Sequence, residues 1–418
     1  MKSFLSLFLL WLITIIISVI WSFENPEKVE KIKSNFKKQE KTEVFKVEGV
    51  SKDIVANSFN IQVSQVLELE DKTAFVIHPN VKKQFNLSDL KIYTQKGFLI
   101  QNLKSEKLNL PKYFSLQRNG GIKTIISTDK GEIALISGSE KECFFASLIL
   151  LSNGRELFKS KCLPETAKNT DFNGLGSSNI HFKNKIFFSL GTPEKHVSKN
   201  SLLAQDDDSK FGKILEIDKD ELVKKIDDDT QSLELKVYSK GHRVPQGLTR
   251  IGDNIFNVEH GPKGGDELNL VLKGKNYGWP KFSYGTNYTK YNGGDGKSYP
   301  VNHEISGYEE PLFAFVPSVG ISSLNNCPSI LKKYYNKPCL MASSLYGNNL
   351  RKGYSLIFFL LNETFTKVNS IEKISFNDIV LRHFVTDKNN ILYEDKDGSI
   401  YVSADKKGIY KVTFKDFR

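Results

Sequence analysis

Beyond residue 45, short runs of β-branched and aromatic residues alternate with turns built from Asn, Gly, Asp and Lys. Side chains on a strand alternate between two faces, so short apolar runs bounded by turn formers predict strands. No segment in this region carries the 3.6-residue periodicity of a long amphipathic helix. A loose unit recurs instead: a small-residue entry, an apolar strand, a polar turn, a second apolar strand and a Gly or polar exit. It begins at Val63, Gly120, Gly176, Pro245, Gly320 and Asn389. The starts lie roughly 55 to 75 residues apart, enough for one four-stranded blade with its loops. A sandwich needs strands every ~8–12 residues throughout, and a β-helix repeats at about 20. Six units of this size predict an all-β, six-bladed β-propeller over residues 46–418, whose ring closure protects its strand edges.

The N-terminus breaks the pattern. Phe4–Ile20 is an uncharged, largely apolar run of 17 residues preceded by Lys2. That is near the shortest length that spans a bilayer, and no small-x-small cleavage site follows. Residues 1–22 are therefore expected to be an N-terminal transmembrane helix, retained as an anchor, with a cleaved signal peptide as the alternative. Either leads to export, on the periplasmic side of the inner membrane, anchored by residues 4–20. Residues 23–45, rich in Lys and Glu, are expected to form a charged stalk.

Composition changes little. The chain has 418 residues, 39% hydrophobic and 26% charged, and a net charge of +11. The Lys and Arg residues are spread through turns, with no basic helix and no aromatic–basic stacking motif, so a nucleic-acid partner is not expected. Four cysteines fit an oxidising compartment. Cys143 and Cys162 lie nearly symmetrically about the Asn153-Gly154 turn of one hairpin, and Cys327 and Cys339 bracket a short loop. Both pairs are candidate disulfides, with four buried thiols as the alternative.

Candidate chemistry concentrates in Gly241–Pro280, GHRVPQGLTRIGDNIFNVEHGPKGGDELNLVLKGKNYGWP. Strands Gly247–Arg250 and Asn254–Glu259 flank a Gly-Asp-Asn turn. The glycine-rich loop Gly261–Leu268 then offers carbonyls beside Asp266 and Glu267, oxygen donors of the kind Ca²⁺ takes. His242 and His260 read as packing or hydrogen-bonding residues, Tyr277 and Trp279 as wedges between blades, and Asp206–Asp208 as a solvated turn. There is no Walker sequence, zinc spacing or nucleophile elbow.

The segments GHRVPQGL, EHGPKGGDELN and NYGWP, with Ala204-Gln205-Asp206 and the strand GKILEI from Gly212, resemble the PQQ-dependent sugar dehydrogenases, the soluble glucose and aldose sugar dehydrogenase family. The resemblance implies a six-bladed propeller that oxidises an aldose-type sugar with PQQ and Ca²⁺. It implies that Arg243 faces the cofactor, and that the Gly261 and Pro262 carbonyls hold the Ca²⁺ that grips it. It places Glu267 and the Tyr277 carbonyl at a neighbouring structural Ca²⁺. The sequence also departs from the family. One alignment puts Leu175 at the catalytic histidine and Thr192 at its supporting aspartate. A second makes His181 the base; otherwise His181 is an inner-strand side chain. Val244 replaces an asparagine, Lys388–Ile391 replaces the last blade's Arg-x-Arg-Asp, and Tyr346 replaces a lysine, with Lys388, Arg351 or Lys352 as substitutes. The alternative function is a catalytically degenerate, Ca²⁺-stabilised propeller that binds a sugar or a protein partner.

Overall fold

The computed structural model describes residues 44–47, 51–55, 58–164, 170–228, 233–288, 295–345, 354–376 and 379–418. The expected anchor at 4–20, the stalk through residue 43, Tyr346, Arg351 and Lys352 lie outside the described residues. Among the described residues no helix is long and apolar enough to cross a membrane. Val44–Arg418 makes one compact unit.

Six antiparallel sheets account for the described strands. Blade 1 runs from Thr73–Ile77 to Lys104–Lys107, blade 2 from Ile122–Thr128 to Arg155–Lys159, and blade 3 from Asn179–Phe182 to Lys236–Lys240. Blade 4 runs from Val244–Ile251 to Phe313–Phe315, and blade 5 from Ile321–Asn326 to Val368–Ser375. Blade 6 takes Leu381–Phe384, Ile400–Ala404 and Gly408–Lys415 from the C-terminus and is completed by Asn60–Leu69 from the other end of the chain. Each blade's first strand neighbours the first strand of the next, and that of blade 6 neighbours that of blade 1, so the ring closes. The six-bladed propeller expected from the repeat is the observed architecture.

The closure corrects two of the expected units. The pattern from Val63 is not one hairpin. Asn60–Leu69 is an outer strand of blade 6, whereas Thr73–Ile77 opens blade 1. The last unit begins at Leu381, not Asn389. Residues 387–390 form a turn, in which Asp387 accepts from the Asn389 and Ile391 amides at 2.8 Å each. A strand–turn–strand pattern has the same polarity whether its turn lies within a blade or between blades.

Apolar faces meet between neighbouring blades. Ile133, Leu135 and Leu148 of blade 2 pack on Ile186, Phe188 and Leu215 of blade 3, all 1% exposed or less. Burying such a side chain is worth about 1.5–3 kcal/mol, which is what fixes one blade's angle on the next. Cys143 and Cys162 are bonded, as are Cys327 and Cys339.

Candidate functional site

The entry ends of the first strands surround an axial cavity of about 670 Å³. Its cations come from different blades: Lys72 precedes blade 1, Lys123 opens blade 2, Arg243 precedes blade 4 and Arg382 opens blade 6, with Lys195 on a blade 3 loop. A propeller converges these positions because every first strand points the same way along the axis.

Arg243 is the most constrained of them. Its Nη1 donates to the Gly261 carbonyl at 2.6 Å and to the His260 carbonyl at 3.3 Å. Its Nε lies 3.3 Å from Glu194 Oε1, and its guanidinium sits 5.1 Å above the Trp279 ring. The loop that presents Gly261 is tight: a Cβ there would meet the Gly265 carbonyl oxygen at 2.2 Å. Asp266 ties the loop down. One carboxylate oxygen accepts from the Gly261 amide at 3.2 Å, and the other from the Val319, Gly320 and Ile321 amides at 2.6–3.1 Å.

Beside Arg243 stands Glu194, 4% exposed. Ser201 donates to its Oε2, while its Oε1 has no hydrogen-bond partner. Burial pushes its carboxyl up to about 7, against the opposing pull of Arg243. His196 Nδ1, His260 Nε2 and Ser177 Oγ are also buried without partners, and all three residues line the same cavity. Arg382 is braced from behind by Asp405, which takes its Nε at 2.7 Å and its Nη2 at 2.5 Å. Lys123 donates to the Asn119 carbonyl at 2.7 Å; desolvation, with repulsion from Arg382 and Lys72, lowers its amine to about 7.

Glu194 and Arg382 were missed in the sequence. Glu194 lies two residues beyond Thr192, in a Thr-Pro-Glu-Lys stretch that reads as a turn. Arg382 lies before the segment taken as the last blade's entry. Its signal was the apolar pattern Val380-Leu381-Arg382-His383-Phe384, a strand with a cation on one face.

A second buried polar set lies on the face of blade 4 turned toward blade 3. Asn257 pairs across strands with Asn269, and Glu259 with Glu267, so the four side chains share one face. Beside them His242 shares a hydrogen bond with Ser239 at 2.8 Å and another with Glu259 at 3.1 Å, and its ring stacks on Tyr277 at 4.5 Å. Burial raises Glu259 to about 8. Glu267 is raised well above the carboxylate range by burial and by the Glu259 charge. Both side-chain polar atoms of Asn257 and the Asn269 Oδ1 lack partners.

These two regions bear differently on the expected Ca²⁺. Around Gly261 one lone pair of the carbonyl takes the Arg243 guanidinium and the neighbouring Asp266 is committed to main-chain amides, so a divalent cation there would draw on the second lone pair of Gly261 and on the Pro262 carbonyl. Around Glu267, two carboxyls and two amide oxygens crowd a buried face, and a hard cation there would satisfy them. Among the described residues no group of three His, Cys, Asp or Glu is gathered for a metal, so any such site depends on amide and main-chain oxygens.

The structure separates His181 from this mouth. It lines a cavity of about 640 Å³ at the opposite, exit end of the first strands, with Arg250, Asn390 and Ile391. The His181 base is therefore corrected: a residue at the far end of its strand cannot reach a group held by Arg243. Lys388 is likewise elsewhere, paired with Asp129 at 2.6 Å. Leu175 is fully buried between blades 2 and 3, and Thr192 Oγ1 donates to the Arg243 carbonyl at 3.2 Å. His260 faces the mouth instead of serving only as packing, and Trp279 forms part of the wall beneath Arg243.

Residues 138–410 match the Glucose / Sorbosone dehydrogenase family. Over 91 residues the chain is 36% identical to aldose sugar dehydrogenase YliI of Escherichia coli (strain K12), covering 21% of this chain and 24% of that protein. Over 107 residues it is 33% identical to quinoprotein glucose dehydrogenase B of Acinetobacter calcoaceticus, covering 24% of this chain and 22% of that one. The matched stretch thus spans about a quarter of each curated relative. In fold, the chain superposes on the apo-form of the soluble aldose sugar dehydrogenase from Escherichia coli with a TM-score of 0.61 at 22% identity, covering 84% of this chain and 99% of that one. The PQQ-bound aldose sugar dehydrogenase of Streptomyces coelicolor gives a TM-score of 0.53 at 16% identity, covering 90% and 99%. With the family match running over more than half of its length, the chain belongs to the glucose/sorbosone dehydrogenase family.

Proposed function

We propose that this chain is an exported, membrane-anchored quinoprotein that oxidises an aldose-type sugar with PQQ, and that Ca²⁺ stabilises its propeller. The observation that carries the reading is the axial mouth, where Arg243, Arg382, Lys72, Lys123 and Lys195 converge from several blades around partnerless buried polar atoms. A tricarboxylate needs such a set, because charge-assisted contacts to carboxylates are the strong ones. Arg382, braced by Asp405, supplies in blade 6 an arginine that Lys388–Ile391 lacks. When bound, PQQ supplies a hydride acceptor; the chain's part is to hold its carboxylates, orient the sugar and take up a proton. Ca²⁺ is assigned to the Glu259–Glu267 face. Export is supported by the two disulfides and by the apolar run at residues 4–20.

The test is titration of the full chain with PQQ, followed by addition of aldoses. Saturable binding and bleaching of the quinone absorbance on adding sugar are expected. Binding without bleaching would favour the second reading, a scaffold that keeps the ring and binds a sugar or protein partner. That reading is motivated by the burial of Leu175 at the position aligned with the family's histidine. Absence of binding would sink the dehydrogenase reading.

A further inference from the structure

The family's histidine aligns with a buried leucine, yet the mouth is not without a carboxyl suited to proton transfer. Glu194 lines it, is almost wholly buried, and is fixed on one side by Ser201. Its other oxygen has no hydrogen-bond partner and lies beside the Arg243 guanidinium. A buried oxygen held only by this charge contact keeps acceptor capacity that a ligand's donor can fill. A sugar hydroxyl is such a donor. We propose that Glu194 is the general base of this site, accepting at Oε1 the proton of the sugar hydroxyl undergoing oxidation.

The step balances with a quinone as oxidant, so the inference rests on the dehydrogenase reading above. The hydroxyl O–H bond breaks and its proton goes to Glu194 Oε1. The electron pair left on oxygen forms the carbonyl as the C–H bond breaks. Hydride, with its two electrons, leaves carbon for the quinone, which is reduced while the sugar is oxidised. The proton then passes from Glu194 to the reduced quinone or to water.

The surroundings suit this role. Arg243, just before blade 4, and Tyr299, between that blade's third and fourth strands, face Glu194; Lys195 and His196 flank it on its own loop; Tyr288 and Lys123 line the same mouth. Burial holds the carboxyl near 7, so a useful fraction is ionised at neutral pH, and Arg243 stabilises that form. Ser201 keeps the side chain in place.

The test compares the wild-type full chain, Glu194→Gln and Lys123→Met, each titrated with PQQ and then mixed with glucose from about pH 5.5 to 9. Wild type should bleach faster as pH rises, with a midpoint near 7. Glu194→Gln should bind PQQ within about threefold of wild type, bleach at least about 100-fold more slowly, and lose that midpoint. A second readout needs neither quinone nor sugar: an infrared carboxyl band should disappear with a midpoint near 7 in wild type and be missing from Glu194→Gln. If Glu194→Gln bleaches at the wild-type rate, or Lys123→Met alone removes the pH dependence, Glu194 is not the base. If no such band titrates between about 6 and 8, the assignment also fails. Failure of wild type to bind PQQ would be read separately, and would remove the dehydrogenase reading and the base with it.

Discussion

Arg243 Nη1 lies 2.6 Å from the Gly261 carbonyl oxygen, so an arginine occupies a main-chain acceptor that the family resemblance assigns to a metal. The same guanidinium is the cationic neighbour of Glu194 and rests on Trp279. One residue therefore joins the glycine loop, the buried carboxyl and the aromatic wall.

Replacing Arg243 with Met should break all three contacts. Removing one partner of a buried pair costs about 3–5 kcal/mol, an upper figure here because Glu194 can escape by taking up a proton. Urea melts should show a loss of this order, and PQQ affinity should fall at least tenfold, about 1.4 kcal/mol. Arg243→Lys should rescue little, since an ammonium is a point charge that cannot span the carbonyl and the carboxyl at once. Full rescue by lysine would show that charge alone matters.

If Ca²⁺ binds the Glu259–Glu267 face as proposed, its effect should depend on pH. Both carboxyls are held above their ordinary range in the metal-free fold, so a cation must displace protons to bind. Affinity should rise with pH, and with it the stabilisation, about 2.7 kcal/mol when Ca²⁺ is at 100 times its Kd. Melting temperatures measured with Ca²⁺ and with EDTA should differ more at pH 8.5 than at pH 6. Glu267→Gln should abolish the difference. An equal Ca²⁺ effect in that variant would place the ion elsewhere.

His181 offers a negative control. It lines the cavity at the exit end of the blades, remote from Arg243. His181→Ala should leave PQQ affinity and sugar-dependent bleaching unchanged within about twofold, because truncation away from a site seldom moves it more. A 100-fold loss would mean that the sugar is processed at the opposite mouth.

How much of this could be seen in the sequence differs by region. The blade 4 strands were legible because Gly247–Arg250 and Asn254–Glu259 alternate cleanly around a Gly-Asp-Asn turn; the observed strands are Val244–Ile251 and Asn254–His260. Both disulfides were legible because Cys143 and Cys162 flank one hairpin and Cys327 and Cys339 one loop. The ends of the ring were not. Asn60–Leu69 and Gly408–Lys415 pair across nearly the whole chain, and nothing local in either marks that partnership. The misplaced last unit in turn hid Arg382. Glu194 escaped because its role comes from burial beside Arg243, which is some 50 residues away in sequence and belongs to the next blade.

His242 and Glu259 are 3.1 Å apart, a distance that invites reading them as an ion pair. Burial argues otherwise. Desolvation, aided by the Lys213 charge, lowers His242 to about 3, while desolvation raises Glu259 to about 8, so near neutral pH the two share a neutral hydrogen bond. The sign of the stability effect follows. A histidine whose folded value lies below its ordinary 6.5 stabilises fully above 6.5, and this contribution is lost as pH falls toward 3, because the unfolded chain takes up the proton first. Glutamine does not titrate, and it cannot restore both hydrogen bonds and the ring stack on Tyr277 together. His242→Gln should therefore cost about 1–2 kcal/mol at pH 7, and the cost should shrink steadily between pH 6.5 and 4.5. Urea melts of the two proteins across that range measure it. A cost that grows on acidification would mean that His242 is charged in the fold, and that the buried contact is an ion pair after all.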